Sequence, residues 1–291
     1  MSESVLADFF GRFHAHTTPS EKPVSGRIVC SGRRLVLAMD SESTIQIPLA
    51  SIMDIGVGTV PSKLEEFFDS TVTIAYERDG QSRLAAVEAD TEDIRKFATV
   101  LFGAILEGTT VSLRHPAVLD GRLQSHPFRS ATLGIARTAV AFRGDPETVS
   151  IDLGDVIGFG RSSAEIDGAD RPVVEIVTEA DGQSVTSYIG GASSRKLSLL
   201  GRYLRIEYAE AAAEARDLNL EEVATRTLLT TYAIEGETDI DVPAIVETDA
   251  ETLAAVREEL VGAGLLVAAD PGSPLTQLGR IAAESAATDV A

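Results

Sequence analysis

The sequence predicts an α+β, β-rich fold: two similar sheet-plus-helix domains in tandem, followed by a smaller helical domain. Three observations carry this. The chain has 291 residues, enough for two or three domains with real cores. Residues 23–106 and 124–216 follow one plan twice. The strand pattern stops at Leu218, and amphipathic helical spacing takes over.

The first copy runs Gly26-Arg-Ile-Val-Cys, Leu35-Val-Leu-Ala-Met, Thr44-Ile-Gln-Ile-Pro-Leu and Ser51-Ile-Met-Asp-Ile-Gly. The second runs Ala131-Thr-Leu-Gly-Ile, Thr138-Ala-Val-Ala-Phe, Val149-Ser-Ile-Asp-Leu and Asp155-Val-Ile-Gly-Phe-Gly. Ile47, Leu49, Ile52, Ile55 and Gly56 match Ile151, Leu153, Val156, Phe159 and Gly160 in a constant register. Each copy then has an alternating strand, Thr71–Glu77 or Val173–Thr178, followed by an identical Asp-Gly-Gln-Ser at Asp79 and Asp181. Asp-Gly between alternating strands predicts a tight hairpin, because glycine accepts the positive φ of the turn.

A helix closes each copy. Ile94, Phe97, Leu101 and Ile105 form one apolar stripe, and Leu197, Leu200 and Leu204 form the other, after the pairs Arg95-Lys96 and Arg195-Lys196. Several antiparallel strands, a hairpin and a closing helix make the order of a pleckstrin-homology-like (PH-like) domain. The expected units are therefore a bent antiparallel sheet or barrel plus C-terminal helix at 23–106, and a second with a long helix at 107–216. Another all-β barrel with a trailing helix is the alternative.

Two segments fall outside the shared plan. Leu6, Phe9, Phe10 and Phe13 predict an N-terminal helix within residues 1–22, packed on the first domain; a partner-binding peptide is the rival. Leu64, Phe67 and Phe68 predict a short amphipathic helix between strands, where the second copy carries a polar loop, Arg161–Arg171.

The third unit, 217–291, reads as a winged helix. Helices are expected over Leu220–Ile234, Val242–Val246 and from Asp249 to Val261, with Asp249 as N-cap. A strand at Leu265-Leu-Val-Ala-Ala, a wing turn at Asp270-Pro-Gly-Ser-Pro and a last strand or helix from Leu275 follow.

Charge then restricts function. The chain carries 45 acids and 25 basic residues, a net charge of −20. From Asp217 onward, fifteen acids face only Arg226, Arg257 and Arg280. Nucleic acid and anionic membranes need cationic surface, so neither is the expected partner, and protein binding is the better use of the winged helix. A purely structural cap or dimerisation module is the bland alternative. Only four of the basic residues are Lys, which with the acid load suits a halophilic archaeon; a GC-rich mesophile is the other source of that bias. No run of apolar residues is long enough for a transmembrane helix, and the N-terminus lacks a secretory pattern, so a soluble cytoplasmic protein is expected.

No constellation for chemistry emerges. One cysteine, Cys30, permits no intrachain disulfide and reads as a buried core thiol. His14 and His16 lack a third metal ligand, Asp152 and Asp155 are a chance pair in an acidic chain, and no nucleotide loop is present. No catalytic residue, cofactor or metal is expected. Arg27, Arg33 and Arg34 form a weak candidate anion site in the first hairpin, against the plainer reading of intramolecular ion pairs.

The chain as a whole resembles the haloarchaeal taxis adaptor family CheF. The resemblance rests on the opening Met-Ser-Glu-Ser-Val, Pro23-Val-Ser-Gly-Arg-Ile-Val, Arg34-Leu-Val-Leu-Ala, Ile55-Gly-Val-Gly-Thr-Val-Pro and Phe67-Phe-Asp-Ser-Thr-Val-Thr-Ile. It continues with Arg114-His-Pro-Ala, Asp181-Gly-Gln-Ser-Val-Thr, Arg195-Lys-Leu-Ser-Leu-Leu-Gly-Arg-Tyr-Leu-Arg and Leu275-Thr-Gln-Leu-Gly-Arg. The stretch Glu235–Asp249 resembles it least. The resemblance implies a non-enzymatic adaptor, a homodimer at the base of the archaellum motor, that binds phosphorylated CheY and the archaellum switch proteins. CheY docking on the C-terminal domain then makes Arg257, Leu266, Leu278 and Ile281 the candidate CheY surface, and Leu64, Phe67 and Phe68 the candidate motor surface. The alternatives are a PH-type lipid-headgroup or anionic-ligand scaffold and, third, a transcription regulator.

Overall fold

In the computed structural model the described residues are 3–16, 18, 22–39, 43–58, 60–136, 139–145, 147–180, 183–218, 220–234, 240–267 and 275–290. The first half holds β1 (Val5–Ala15), β2 (Val24–Ser31), β3 (Arg34–Ala38), β4 (Thr44–Pro48), β5 (Ile52–Val57), β6 (Val72–Arg78), β7 (Gln81–Glu88) and helix α1 (Thr91–Leu106). The second holds β8 (Thr110–Leu119), β9 (Arg122–Leu123), β10 (Arg129–Ile135), β11 (Ala139–Gly144), β12 (Thr148–Asp152), β13 (Val156–Ile166), β14 (Ala169–Ala180), β15 (Gln183–Gly190) and α2 (Ser194–Asp217).

The two antiparallel sheets have the same order. It is β4-β3-β2-β1-β7-β6-β5 in the first and β12-β11-β10-β8-β15-β14-β13 in the second, with β9 added beside β8. Each sheet makes its meander, passes a 3-10 turn (Leu49–Ser51 or Leu153–Asp155), makes a second meander and ends in a helix. The repeat is thus a whole fold.

The expected N-terminal helix is a strand. β1 lies between β2 and β7 inside the first sheet, and Phe13 is fully buried there. Its helical spacing misled because Leu6 and Phe10 point outward, while Ala7, Phe9, Phe13 and Ala15 alternate toward the core. Pairing with β2 on one side and the distant β7 on the other outweighs the local pattern. The first repeat therefore begins at Val5 instead of residue 23, and the second begins with β8 instead of residue 124.

Hairpins form where Asp-Gly supplies two positive-φ residues. Asp79 and Gly80 join β6 to β7 at φ 56° and 71°, and Asp167 and Gly168 join β13 to β14 at 54° and 76°. That second turn corrects the polar loop expected over Arg161–Arg171: the segment is the exposed end of a long hairpin. Ala180 pairs with Gln183, while the expected turn residues Asp181 and Gly182 lie outside the described residues.

Both repeats share one apolar core, which runs from Phe13 and Ile28 through Phe97 and Phe102 to Phe142 and Tyr203. Phe102 and Tyr203 meet with ring centroids 5.7 Å apart. The first turn of α2 reaches into the first repeat. Arg195 donates to the carbonyls of Ala50 (2.7 Å) and Leu49 (2.9 Å), and Lys196 Nζ donates to the Ile105 carbonyl at the end of α1. Burial lowers the pKa of both groups, with Arg195 adding repulsion at Lys196. Counting from the caps Asp90 and Ser193, these two do not occupy the places of Arg95 and Lys96, which stay exposed; the matched pairs of the sequence are out of structural register.

The rest is helical: α3 (Glu222–Ala233), α4 (Val242–Val246), α5 (Ala250–Gly262) and α6 (Gln277–Val290). Asp249 caps α5 by accepting from Thr252 N–H at 2.8 Å. Leu266 and Leu275 form one antiparallel bridge, and the wing turn expected between them lies outside the described residues. α6 packs on α2, α3 and β13, which ties this unit to the second sheet.

Candidate docking surfaces

The C-terminal unit owes its position to a short run of side chains. Leu275 makes the bridge to Leu266. Thr276 Oγ1 donates to the Gly264 carbonyl (2.6 Å) and accepts from Gly279 N–H (3.0 Å), so it both closes the loop and caps α6. Gly279 faces the Leu265 backbone so closely that a Cβ would collide with its carbonyl oxygen. Arg280 then pairs with Glu179 of β14, both side chains under a tenth exposed. Thr276 and Arg280 of this run thus both serve to hold the fold together.

This arrangement corrects the candidate CheY surface. Leu266 and Ile281 belong to the buried core of the unit, and Leu278 is partly buried against it. Arg257 is half-buried on α5. The apolar spacing that marked these residues marks the inside of the unit. What faces outward is different: Glu251, Ala254, Ala255, Glu258 and Glu259 on α5, with Ile245 of α4 and Val267 as exposed apolar groups. Sequence reading missed Ile245 and Val267, because each shares the apolar spacing of buried neighbours: Val242 and Val246 for the first, Leu265 and Leu266 for the second.

The candidate motor surface is corrected too. Only Ser62–Leu64 is helical, as a 3-10 turn. Leu64 and Phe68 are buried with Ala86 of β7, and Phe67 is partly buried beside them, so the segment straps the outer face of the first sheet. Arg12 stacks over the Phe68 ring at 5.3 Å, and Glu88 accepts from Asp69 N–H at 3.0 Å.

The candidate anion site is divided among ion pairs. Arg27 makes a two-pronged contact to Asp8 at 2.7 and 2.5 Å. Arg34 lies 2.9 Å from Glu3 and donates to Gln46 at 2.9 Å. The hydrogen bond and charge of Arg27 hold the Asp8 carboxyl below its usual range; Glu3 is lowered first by Ser31 and then by Arg34. Arg33 is exposed and adds to the charge of Arg34 at Glu3.

Among the described residues no group of three or more His, Cys, Asp or Glu could hold a metal ion. No described helix is long and apolar enough to cross a membrane.

Comparison with known proteins finds taxis proteins that match most of the chain. A family model described as archaeal chemotaxis signal transduction system protein F matches residues 5–210. Taxis protein CheF2 of Halobacterium salinarum is 35% identical over 290 residues, covering 100% of this chain and 99% of that protein. Taxis protein CheF1 of the same organism is 24% identical over 275 residues, covering 91% and 90%.

Proposed function

Because the chain belongs to the archaeal CheF family of chemotaxis signal-transduction proteins, we propose that it is a non-enzymatic adaptor linking phosphorylated CheY to the archaellum switch proteins. It works as a homodimer in the cytoplasm, at the base of the archaellum motor. The observation that carries this reading is the family match across both sheet repeats, together with the full-length match that includes the C-terminal unit. In this reading the two sheet-plus-helix repeats are PH-like scaffolds and the C-terminal unit is a winged helix turned to protein binding. Its acidic α5 supports that use, since phosphate contacts call for Lys and Arg.

The mechanism is differential affinity. Phosphorylation changes the docking face of CheY, and the adaptor holds one state more tightly; only that difference can bias the motor. With Leu266 and Ile281 buried, the CheY surface moves to the outward face around Ile245, Val267 and α5. The test is Ile245→Asp and Val267→Asp in the full chain, titrated with activated CheY in multimolar KCl. Weakening by about tenfold or more, with unchanged melting, supports the assignment; unchanged affinity removes it.

A further inference from the structure

We propose that the first half of β1 is a docking edge, where an extended apolar segment of a partner protein adds to the first sheet as a strand. The inference stands apart from the adaptor reading.

The first observation is unpaired backbone. β1 pairs with β2 from Val5 to Phe13, but with β7 only from Arg12 to Ala15 among the described residues. At Gly11 the Glu88 carbonyl comes so near that a Cβ would stand 2.5 Å from it. There the β7 chain turns off through Ala89 and Asp90 into α1. Val5–Gly11 thus keep one edge of backbone donors and acceptors facing away from the sheet, roughly 20 Å of strand.

The second observation is what borders that edge. A groove of about 1180 Å³ runs beside it. Leu6, Ala7, Asp8 and Phe9 all line it, and four consecutive strand residues can do so only if the strand offers its edge rather than one face. The opposite walls are Val100, Gly103 and Ala104 of α1, Ile135, and Ile206 of α2. Small groups there leave room for side chains. The volume is above the roughly 300–1,000 Å³ of a small-molecule site and suits a short peptide.

The third is internal comparison. In the second repeat β8 pairs with β15 from Ser112 onward, and only Thr110 and Val111 precede that pairing. The same fold therefore closes without a seven-residue overhang. The overhang in the first repeat is also apolar: Val5, Leu6 and Phe10 are 55%, 46% and 78% exposed. An unpaired strand edge with exposed apolar groups is a template for another strand.

The chemistry of the partner follows. Alternate apolar side chains would enter the groove, with backbone hydrogen bonds along β1. Of the charged groups at the border, Asp8 and Glu107 are paired with Arg27 and Arg143, and Asp93, Arg95 and Lys96 line it as well. Charge is nearly balanced at the mouth, and it suits a neutral apolar segment.

The probe is a fluorescent octapeptide alternating Val and Thr, with an analogue N-methylated on one backbone edge. The expected result is saturable binding to the full chain, slowed amide exchange at Val5–Phe10, and loss of both with the analogue. Ala104→Trp, which fills the groove, and Phe10→Ser should each weaken binding by about tenfold or more without changing the melting temperature. Absence of saturable binding overturns the proposal, as does binding that N-methylation leaves intact. Exchange protection without peptide that grows with protein concentration places a second copy on this edge and equally overturns it.

Discussion

Arg280 of α6 and Glu179 of β14 form an ion pair almost wholly withdrawn from solvent, and it joins the C-terminal helical unit to the second sheet. Both charges have left water, so the pair is costly to break: removing one partner strands the other in a dry site. Glu179→Gln should cost about 3–5 kcal/mol of stability. Replacing both by apolar residues of similar size should cost much less. Chemical denaturation of the single and double variants checks this, and limited proteolysis should show residues 218–290 becoming accessible first in the single variant.

Arg195 is the corresponding tie between the two repeats. Its guanidinium satisfies the carbonyls of Leu49 and Ala50, at the 3-10 turn that leads into β5. Arg195→Ala should destabilise by about 1–3 kcal/mol, because a charged donor is lost to two acceptors. Amide exchange around Ile52–Val57 should quicken, which distinguishes a local tie from a general loss of stability.

Cys30 is fully buried, and burial alone pushes its thiol up to about 11. The thiolate fraction near neutral pH is accordingly negligible. A thiol-specific disulfide reagent should leave the native protein unmodified and react at once after denaturation. Prompt native labelling would contradict the core placement.

His115 sits 2.8 Å from Ser187 Oγ, and burial, the largest influence, lowers its pKa below 6.5, with Glu147 acting in the opposite direction. The folded state thus disfavours the imidazolium, and the unfolded state binds more protons in this window. Stability is fully present above about pH 6.5 and falls as pH drops through the depressed value. Unfolding free energies between about pH 8 and 5 should show that loss, and His115→Asn should reduce it.

Much of this fold was legible because local signals agreed with distant ones. The register Ile47–Gly56 against Ile151–Gly160 matched two segments that the structure shows to be equivalent, each with a 3-10 turn, and Asp79-Gly80 gave its hairpin directly. β1 was not legible: its aromatic residues serve two faces, Phe9 and Phe13 inward and Phe10 outward, which mimics a helical stripe. Asp167-Gly168 carried the same hairpin signal, but strands exposed on both faces are polar and read as a loop. Four of the candidate surface residues turn inward for one reason. Apolar spacing identifies a face that will be buried, and in Leu64, Phe68, Leu266 and Ile281 the burial is intramolecular. The exposed Ile245 shares the helical spacing of buried Val242 and Val246, so sequence gives no warning of it.

The adaptor account is tested most directly by titrating the full chain with CheY in multimolar KCl, with and without beryllofluoride as phosphoryl mimic. The account predicts clearly tighter binding to the activated form. Equal affinity for both forms, or binding to neither by a folded chain, would contradict it.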